Sequence, residues 1–267
     1  MTGAKTAVVT GGASGIGRAV ARELAMRGAA VTIADLDEET GKRTAEEFGL
    51  DFVPLDVTDA EAVAEVYGRV RRERGRLDFV FNNAGIAIGG RTEELTLDHW
   101  NLAIDVNLRG VVNGVHAAYP LMLEQGHGHI VNTASLAGLV PAPLMLPYTT
   151  TKHAVVGLSM ALRAEAASRG VRVSVVCPGF TDTPLLDHAN PGLPATELGT
   201  HARSAAVKAQ GRLYSADALA ADILRGVARN QAMIVAPATG RLAWRGARLS
   251  PRGAIRVASV AARRLRA

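Results

Sequence analysis

The sequence predicts an α/β fold, in which a doubly wound parallel sheet of about seven strands carries helices on both faces. Short apolar runs alternate with amphipathic helical stretches along most of the 267 residues. No internal repeat or low-complexity linker interrupts this alternation. A chain of this length suits a single domain, which we place at residues 1–240, followed by a basic extension over 241–267.

Seven short segments rich in β-branched or apolar residues are the predicted strands. Several lack strict alternation of polar and apolar residues, as expected for strands that helices cover on both faces. The predicted strands are Lys5–Thr10, Ala30–Ala34, Phe52–Leu55, Leu77–Phe81, His129–Thr133, Val171–Val176 and Met233–Ala236.

Apolar residues at helical spacing mark the segments between the strands. Ile16, Val20 and Leu24 recur every four residues and would share one helix face. Strand and helix in alternation predict right-handed crossovers. The other predicted stripes are Ala62, Val66 and Val70; Trp100, Ile104, Leu108, Val111 and Val115; and Ala154, Leu158, Ala161 and Leu162.

Composition excludes several classes of protein. Hydrophobic residues make up 48% and charged residues 21% of the chain, as in an ordinary folded domain. The single cysteine, Cys177, excludes an intramolecular disulfide framework and a cysteine-rich metal site. No apolar run reaches the roughly 20 residues that cross a bilayer, and the first residues lack the apolar core of a signal peptide. We therefore expect a cytoplasmic protein.

Positive charge is concentrated near the C-terminal end. The net charge is +5, but residues 241–267 hold eight arginines and no acidic residue, so the preceding part is mildly acidic. A nucleic-acid-binding fold would carry a basic cluster on its folded body. We expect no nucleic-acid partner.

The first predicted strand runs into a glycine-rich turn that opens a helix. The turn reads Thr10-Gly11-Gly12-Ala13-Ser14-Gly15-Ile16-Gly17. Glycines let the backbone turn sharply and approach a pyrophosphate, whose charge then lies on free N–H groups at the helix N-terminus. Such a turn can also be structural only, but its position inside a βαβ unit favours a dinucleotide site.

A carboxylate at the end of the second strand bears on the choice of dinucleotide. Asp35 lies 18 residues past Gly17, where an acid accepts hydrogen bonds from ribose hydroxyls and repels a 2′-phosphate. At positions 14 and 36, where a 2′-phosphate would need an arginine or lysine, the chain has Ser14 and Leu36. We therefore favour NAD over NADP, with a helix-capping role for Asp35 as the alternative.

Tyr148 and Lys152 form the candidate reactive pair. They lie four residues apart near the start of a helix that Pro147 is suited to open, so the two side chains share one face. A free phenol has a pKa near ~10, and an ammonium at about 4 Å would lower the pKa toward neutrality. The sequence thus predicts a tyrosine that exchanges protons at neutral pH, with a surface Tyr–Lys pair as the alternative.

These motifs resemble the short-chain dehydrogenase/reductase family, whose glycine motif has the form TGxxxGxG. The resemblance covers residues 5 to about 236. It includes Asp56-Val57, the Asn82-Asn83-Ala84-Gly85 segment, and Pro178-Gly179 with Thr183. It implies a Rossmann-like fold and a bound dinucleotide. The residues that it implies for NAD binding are Gly11, Ser14, Gly15, Ile16, Gly17, Asp35, Asp56, Val57, Asn83, Ala84, Gly85, Tyr148, Lys152, Pro178, Gly179, Thr181 and Thr183.

The resemblance also implies a catalytic tetrad of Asn107, Ser135, Tyr148 and Lys152. By this likeness Tyr148 is the general acid/base, Lys152 also holds the nicotinamide ribose, and Ser135 polarises the reacting oxygen. Asn107 would anchor a water-linked proton relay to the lysine. Taken alone, Ser135 could be an ordinary strand-end residue and Asn107 a helix-kink residue.

An irregular segment over about 180–212 is predicted to be a substrate lid. The stretch from Pro178 to Arg212 contains four prolines and follows a strand's carboxyl end, where open α/β sheets bind ligands. Its apolar residues suggest a hydrophobic alcohol or ketone. The predicted substrate contacts are Ser135, Ala137, Leu144, Tyr148, Leu185 and Leu186.

Other chemical motifs are weaker. Gly157-Leu158-Ser159-Met160-Ala161 lacks the second glycine of a hydrolase nucleophile elbow and reads as mid-helix. His127 and His129 have no nearby cysteine or carboxylate trio, so we interpret them as turn residues and predict no metal site. Cys177 is expected to be a small buried filler.

The basic extension departs from the family pattern, which usually ends in a glycine-rich subunit contact. Pro251 and Gly253 interrupt any single long helix, and the apolar spacing is poorly helical. We expect a solvated or oligomer-contacting tail, with contact to an anionic membrane surface as the alternative. A homo-oligomer, dimer or tetramer, is expected from the resemblance.

The sequence thus predicts an NAD-dependent oxidoreductase that interconverts a secondary alcohol and a ketone. The competing hypothesis is a sensor or scaffold that binds a dinucleotide without turnover.

Overall fold

A seven-stranded parallel sheet organises the computed structural model, which describes residues 4–264. The strands are β1 (Thr6–Thr10), β2 (Ala30–Asp35), β3 (Asp51–Pro54), β4 (Phe79–Asn82), β5 (Gly128–Thr133), β6 (Val171–Pro178), β7 (Thr181–Asp182), β8 (Tyr214–Ser215) and β9 (Met233–Ala236). Their order in the main sheet is β3-β2-β1-β4-β5-β6-β9, and β7 pairs with β8 separately. The predicted fold class is confirmed.

Helices connect the strands. They are α1 (Gly15–Met26), α2 (Glu38–Phe48), α3 (Ala60–Arg74), α4 (Leu97–Ile104), α5 (Gly110–Gln125), α6 (Leu146–Ala166), α7 (Glu197–Thr200), α8 (Ala202–Gln210), α9 (Ala216–Ala228), α10 (Ala238–Leu249) and α11 (Pro251–Arg264). Short 3₁₀ helices cover Leu136–Gly138 and Pro184–Leu186.

Both faces of the sheet are buried, which explains the continuous apolar runs. Val8 and Val9 are adjacent in β1 and fully buried, yet they belong to hydrophobic clusters on opposite faces. Helices α1 and α9 contribute to the cluster around Val9, while α3 and α5 contribute to that around Val8. The sheet is therefore the middle layer of three.

The strand order places a ligand crevice. After β1 the chain builds one half of the sheet and then returns to start the other half with β4 beside β1. Ligands of such sheets bind outside the carboxyl ends of the strands at this switch point. Thr10 and Asn82 end the two strands there.

One predicted helix contains a break in its hydrogen-bond pattern. The stripe from Trp100 to Val115 was expected on a single helix, but a π-helical segment, Asp105–Arg109, separates α4 from α5. A π turn adds a residue to one turn and shifts the face of everything after it. Asn107 lies within this segment and is fully buried.

The apolar stripe predicted for α6 is not the face of the helix that is buried. Ala161 is exposed and Leu158 is only half-buried, whereas Thr151, Lys152, Val155 and Ser159 are buried. The buried polar positions hydrogen bond inside the protein, so hydrophobicity did not identify the inner face.

Two smaller expectations are corrected. His129 is not a turn residue; it lies buried in β5, where its Nε2 is 2.8 Å from the Ser174 hydroxyl. His127 does lie in the turn before β5 and is exposed. The basic extension, expected to be poorly helical, forms the two helices α10 and α11, with the break at Ser250 and Pro251. Among residues 4–264, no helix is long and apolar enough to span a membrane.

Candidate active site

The turn between β1 and α1 can be formed only with glycine at two of its positions. Gly11 has φ +64°, and a Cβ there would lie 2.8 Å from the Ala84 Cα atom. A Cβ on Gly17 would lie 2.0 Å from the Gly11 carbonyl oxygen. Ser14 occupies the N-cap of α1, but its side chain makes no capping hydrogen bond, so an outside acceptor can meet the first N–H groups of the helix.

Asn83 joins the glycine turn to the carboxyl ends of β4 and β5. Its backbone N–H donates to the Thr10 hydroxyl at 3.0 Å, and its side-chain amide donates to the Thr10 carbonyl oxygen at 3.1 Å. The Thr133 hydroxyl donates to the Asn83 Oδ1 atom at 3.2 Å. Three strand ends are thereby held in one arrangement.

Asp35 ends β2 beside this turn. Its carboxylate accepts hydrogen bonds from the Ala13 N–H at 3.0 Å and the Asp37 N–H at 3.2 Å. The capping role considered for Asp35 belongs instead to Asp37, whose side chain accepts from the Thr40 N–H at the start of α2. Asp35 is only half-buried and retains acceptor capacity for a ligand.

Two further predicted nucleotide residues, Asp56 and Val57, follow β3. The exposed Asp56 carboxylate accepts hydrogen bonds from the Thr58 N–H and hydroxyl, both at 2.8 Å. Val57 is buried against Gly110, where a Cβ would lie 2.7 Å from a Val57 methyl group. The turn after β3 is thus fixed against the start of α5.

The segment after β6 lies against the glycine turn. Pro178 ends β6, and the Gly179 N–H donates to the Ala236 carbonyl oxygen at 2.8 Å. The Thr181 hydroxyl donates to the Gly179 carbonyl oxygen at 3.1 Å. Thr183 is buried, and its methyl group would be 3.1 Å from a Cβ on Gly15. The turn and this segment therefore form two sides of one crevice.

Tyr148 and Lys152 lie in the first turns of α6, as predicted. Pro147 occupies one of the first two positions of the helix. The Lys152 Nζ atom is 5.5 Å from the centre of the Tyr148 ring and donates a hydrogen bond to the Thr133 carbonyl oxygen at 3.0 Å. Lys152 is 3% exposed, whereas Tyr148 is half-buried. The ammonium is thus enclosed beside a phenol that retains access to a ligand.

Asn107 reaches the same place from the π-helical segment. Its Oδ1 atom accepts from the Ile86 N–H at 2.9 Å, and its Nδ2 atom donates to the Ile86 carbonyl oxygen at 3.0 Å. A Cβ on Gly85 would lie 2.9 Å from the Asn107 Oδ1 atom and 3.4 Å from the Lys152 Nζ atom. Because Gly85 has no side chain, the space between the Asn107 amide and the Lys152 ammonium stays open.

Ser135 lies just after β5, facing the tyrosine. Its hydroxyl accepts from the Ala137 N–H at 3.1 Å and donates to the Pro178 carbonyl oxygen at 3.5 Å. The Ser135 side chain lowers the pKa of the Tyr148 phenol. The structure therefore brings all four residues of the predicted tetrad to one end of the sheet.

The electrostatics of the pair differ from expectation. Burial raises the pKa of the Tyr148 phenol, and the Ser135 hydroxyl offsets only part of this effect. Burial also lowers the pKa of Lys152 to about 8. The expected lowering of the tyrosine pKa is therefore wrong for this structure, because loss of hydration disfavours the phenolate.

Cys177 is fully buried in β6 next to this site. Burial raises the pKa of its thiol to about 12, so it stays protonated near neutral pH. This fits the predicted filler.

The residues predicted to contact the substrate differ in burial and in backbone conformation. Ala137 is buried in the 3₁₀ helix that follows Ser135. Leu144 has φ +64°, a region that bulky residues rarely adopt, and its carbonyl oxygen accepts from the Gly90 N–H at 2.8 Å. Leu185 and Leu186 lie in a 3₁₀ helix at the start of the segment predicted to be a lid, where Leu186 is buried. Strain at Leu144 is the kind that functional sites retain.

A cavity of about 430 Å³ adjoins the glycine turn, with Ser14, Gly15 and Arg18 in its wall. Tyr148 and Lys152 do not line it, so it is separate from the place where a substrate would meet the tetrad. Within the described part of the chain, no three His, Cys, Asp or Glu side chains are grouped to hold a metal ion.

Sequence reasoning missed a buried polar network that supports the site. The Tyr67 hydroxyl donates to the Asn82 Oδ1 atom at 2.9 Å, and Asn82 donates to the Asn132 Oδ1 atom at 2.8 Å. Asn132 in turn donates to the Ser159 hydroxyl at 3.0 Å. The only signal was asparagine inside otherwise apolar strands, which must find partners when buried.

The long-range contacts that hold the segment after β6 were also not predicted from the sequence. Asn190 is buried with φ +56° and exchanges hydrogen bonds of 3.0 and 2.8 Å with the Gly89 N–H and carbonyl oxygen. Arg203 on α8 forms ion pairs with Asp182 and Asp187. Nothing in the composition of the loop indicates these long-range partners.

Comparison with known proteins finds relatives of this chain in both sequence and structure. Residues 5–193 match the family model described as short chain dehydrogenase. Over 190 residues the chain is 38% identical to an uncharacterised oxidoreductase of Staphylococcus aureus strain MW2, covering 70% of this chain and 82% of that protein. The crystal structure of a short chain dehydrogenase/reductase from Burkholderia phymatum in complex with NAD has a TM-score of 0.82 and 31% identity, covering 92% of this chain and 95% of that one. Levodione reductase has a TM-score of 0.75 at 29% identity, covering 86% and 94% of the two chains.

Proposed function

The chain is an oxidoreductase of the short chain dehydrogenase family, and we propose that it interconverts a secondary alcohol and a ketone with NAD. The observation that carries the proposal is the convergence of Ser135, Tyr148 and Lys152 beside the glycine turn. A half-buried phenol, a hydroxyl and an enclosed ammonium at one crevice match what proton transfer at an alcohol oxygen requires.

The residues of the crevice fit a dinucleotide. Gly11 and Gly17 allow the tight turn before α1, where a Cβ would clash with the protein, and the uncapped start of α1 suits a pyrophosphate. The Asp35 carboxylate would accept hydrogen bonds from the adenosine ribose hydroxyls. Thr181 and Thr183 lie on the segment that would hold the nicotinamide carboxamide. When bound, NAD supplies the hydride chemistry.

Asp35 supports NAD rather than NADP. Its carboxylate would repel a 2′-phosphate. The arginines beside the glycine turn already have carboxylate partners, since Arg18 pairs with Glu47 at 2.7 Å and Arg43 with Glu39 at 3.6 Å. A 2′-phosphate would thus lie beside the Asp35 carboxylate, and neither Arg18 nor Arg43 would be free to pair with it.

The chain's own groups divide the proton chemistry among them. Tyr148 takes the proton from the alcohol hydroxyl at its phenol oxygen, or returns it to the ketone oxygen. Ser135 binds the same reacting oxygen and orients it. The Lys152 ammonium, 5.5 Å from the centre of the Tyr148 ring, would bind the nicotinamide ribose, and Asn107 holds the Ile86 backbone beside it.

Apolar residues around the tetrad favour a hydrophobic substrate. Ala137 and Leu144 flank Ser135 and Tyr148 along the chain, and Leu185 and Leu186 start the lid. An apolar wall beside a few polar groups is typical of sites that bind hydrophobic small molecules.

We further propose a homo-oligomer that uses the outer face of α5 and α6. A shallow cavity of about 270 Å³ lies there, lined by Val112, Val115, His116, Tyr119, Pro120 and Leu158. Val112 is 41% exposed, and Met160 on α6 is 38% exposed. An apolar patch of this kind is suited to burial against another subunit.

The experiment is a turnover assay. Purified protein is incubated with NAD or NADP and a panel of hydrophobic secondary alcohols, and the absorbance of the reduced nicotinamide is followed. We expect turnover with NAD and weaker turnover with NADP, and an Asp35→Ser variant should lose much of this preference. Equal use of both cofactors would contradict the role of Asp35. NAD binding without turnover of any alcohol would favour the sensor or scaffold hypothesis.

A further inference from the structure

Helices α10 and α11 form a basic, partly apolar unit beside the candidate active site. On α10, Gly240 is buried and Trp244 half-buried, and Trp244 belongs to the hydrophobic cluster that includes Val235 and Leu136. Helix α11 packs against α10. Because Leu136 directly follows Ser135, this unit lies at the edge of the sheet where the crevice opens.

Each helix presents its arginines on one face. Residues three, four or seven apart share a helix face, which groups Arg241, Arg245 and Arg248 on α10 and Arg252, Arg256 and Arg263 on α11. The inner faces consist of small residues and one tryptophan. They are Gly240, Trp244 and Ala247 on α10, and Ala254, Ala258 and Ala262 on α11.

Large apolar side chains lie next to the arginines and point away from the body. Leu242 and Leu249, seven residues apart on α10, are 67% and 88% exposed. On α11, Val257 and Val260 are 72% and 49% exposed. Leu249 follows Arg245 by four residues, and Val260 follows Arg256 by four, so apolar and basic groups are neighbours on each helix.

These arginines lack acidic partners. Residues 241–267 contain no aspartate or glutamate. Among the side chains described up to residue 263, no salt bridge involves an arginine of α10 or α11, although the ion pairs of the body include many surface arginines. Arg241 donates to the Val235 carbonyl oxygen, and Arg248 stacks over the Trp244 ring at 5.7 Å. The positive charge is therefore available to an outside anion.

We propose that α10 and α11 bind the surface of an anionic lipid bilayer. Basic side chains beside exposed leucine and valine on amphipathic helices are suited to a bilayer surface, where the apolar groups enter the boundary of the acyl chains and the arginines meet anionic headgroups. This inference stands independently of the proposed activity.

Charge complementarity favours lipid over a second copy of the same surface. Two copies meeting through α10 and α11 would bring both sets of arginines together with no acidic residue from either tail. A bilayer that contains anionic lipid supplies the opposite charge and an apolar phase at the same place.

The test is cosedimentation of the full chain with vesicles. One set contains phosphatidylcholine alone, and the other adds about 30 mol% phosphatidylglycerol. We expect binding to the anionic vesicles to be at least about tenfold stronger than to the neutral ones, and to weaken as salt is added.

Replacing Arg245, Arg252 and Arg256 together with glutamine should weaken binding to the anionic vesicles about 100-fold. A Leu242→Ser, Leu249→Ser variant should weaken it about tenfold or more.

The matched control replaces Arg27, Arg72 and Arg229 with glutamine, which removes the same charge from exposed sites on the body. It should bind the anionic vesicles like the wild type, and far-ultraviolet circular dichroism checks that every variant is folded. Four outcomes overturn the proposal: no binding to anionic vesicles, equal binding to neutral ones, an equal loss in the control, or equally tight binding to a short DNA duplex. A change in oligomeric state in the tail variants, with vesicle binding unchanged, would also overturn it by assigning the helices to a subunit contact.

Discussion

At the scale of single residues, the least expected property is the environment of Lys152. Its ammonium is 3% exposed and has the Thr133 carbonyl oxygen as its hydrogen-bond partner. Burial lowers its pKa from the usual 10.5 to about 8. Holding this proton at neutral pH therefore destabilises the folded protein, which is a common property of functional sites.

Lys152→Met should therefore stabilise the protein at pH 7 while removing activity. The folded pKa of Lys152 is below its unfolded value, so the wild type gains stability as pH rises from about 8 to about 10.5. Allowing for the lost hydrogen bond, we expect a gain of about 2 kcal/mol in the free energy of unfolding at pH 7. Chemical denaturation measures it.

The pH dependence is the internal control for that experiment. The advantage of Lys152→Met should shrink as pH rises from about 8 and be lost above about 10.5, where the wild-type amine is neutral in both states. A variant that is no more stable than the wild type at pH 7 would contradict the assigned cost of burying the charge.

What the sequence could predict at this scale was position. The spacing of Tyr148 and Lys152, together with the family resemblance that implied Ser135, placed the three residues at one site, as the structure has them. The direction of the Tyr148 pKa shift was mispredicted. The shift depends first on the burial of the phenol, which does not follow from spacing.

At the scale of elements, α6 is held by polar rather than apolar contacts at two of its positions. Asn132 on β5 bridges Asn82 on β4 and Ser159 on α6. The three side chains are at most 3% exposed. A buried network of this kind fixes one arrangement of its elements when every member is satisfied.

Asn132→Ala should destabilise the protein and misplace the tetrad. The change leaves the Asn82 amide and the Ser159 hydroxyl with one partner fewer, so we expect a loss of about 2–4 kcal/mol in the free energy of unfolding. Ser159→Ala, which leaves the bond between Asn82 and Asn132 intact, should cost less. Denaturation of both variants tests this, and a loss below about 0.5 kcal/mol for Asn132→Ala would contradict a stabilising network.

Elements were predicted well where hydrophobicity determines them. The edge strand β9 has the predicted bounds, Met233–Ala236. The π-helical segment at Asn107 and the inner face of α6 were not predicted, because both depend on buried polar groups that a hydrophobic pattern does not register. The helices α10 and α11 were missed because small residues such as Ala254 and Ala258, rather than large apolar ones, form their inner face.

At the scale of the whole molecule, the parallel sheet brings residues from distant parts of the chain to one edge. Thr10, Asn83, Ser135 and Pro178 come from four strands or the loops that follow them, and they meet because parallel strands end on the same side. The proposed assembly would use the outer face of α5 and α6, where Val112 is exposed.

Val112→Glu should weaken the proposed assembly. A carboxylate at a position that is 41% exposed in the single chain would be buried in a subunit contact without a partner. We expect a shift to smaller species by size-exclusion chromatography with light scattering. Met26→Glu, which alters an apolar residue that is 74% exposed on α1, is the control and should leave the assembly unchanged. An identical mass for wild type and Val112→Glu would contradict assembly through this face.

The central claim is that the Tyr148 phenol carries the proton between substrate and protein. The direct measurement is the turnover of Tyr148→Phe with NAD and an accepted alcohol, alongside the NAD dissociation constant by calorimetry. We predict turnover reduced by about 10²–10⁴-fold, since the phenyl ring keeps the shape but cannot exchange a proton, with NAD affinity within about threefold of the wild type. Turnover equal to that of the wild type would contradict the account.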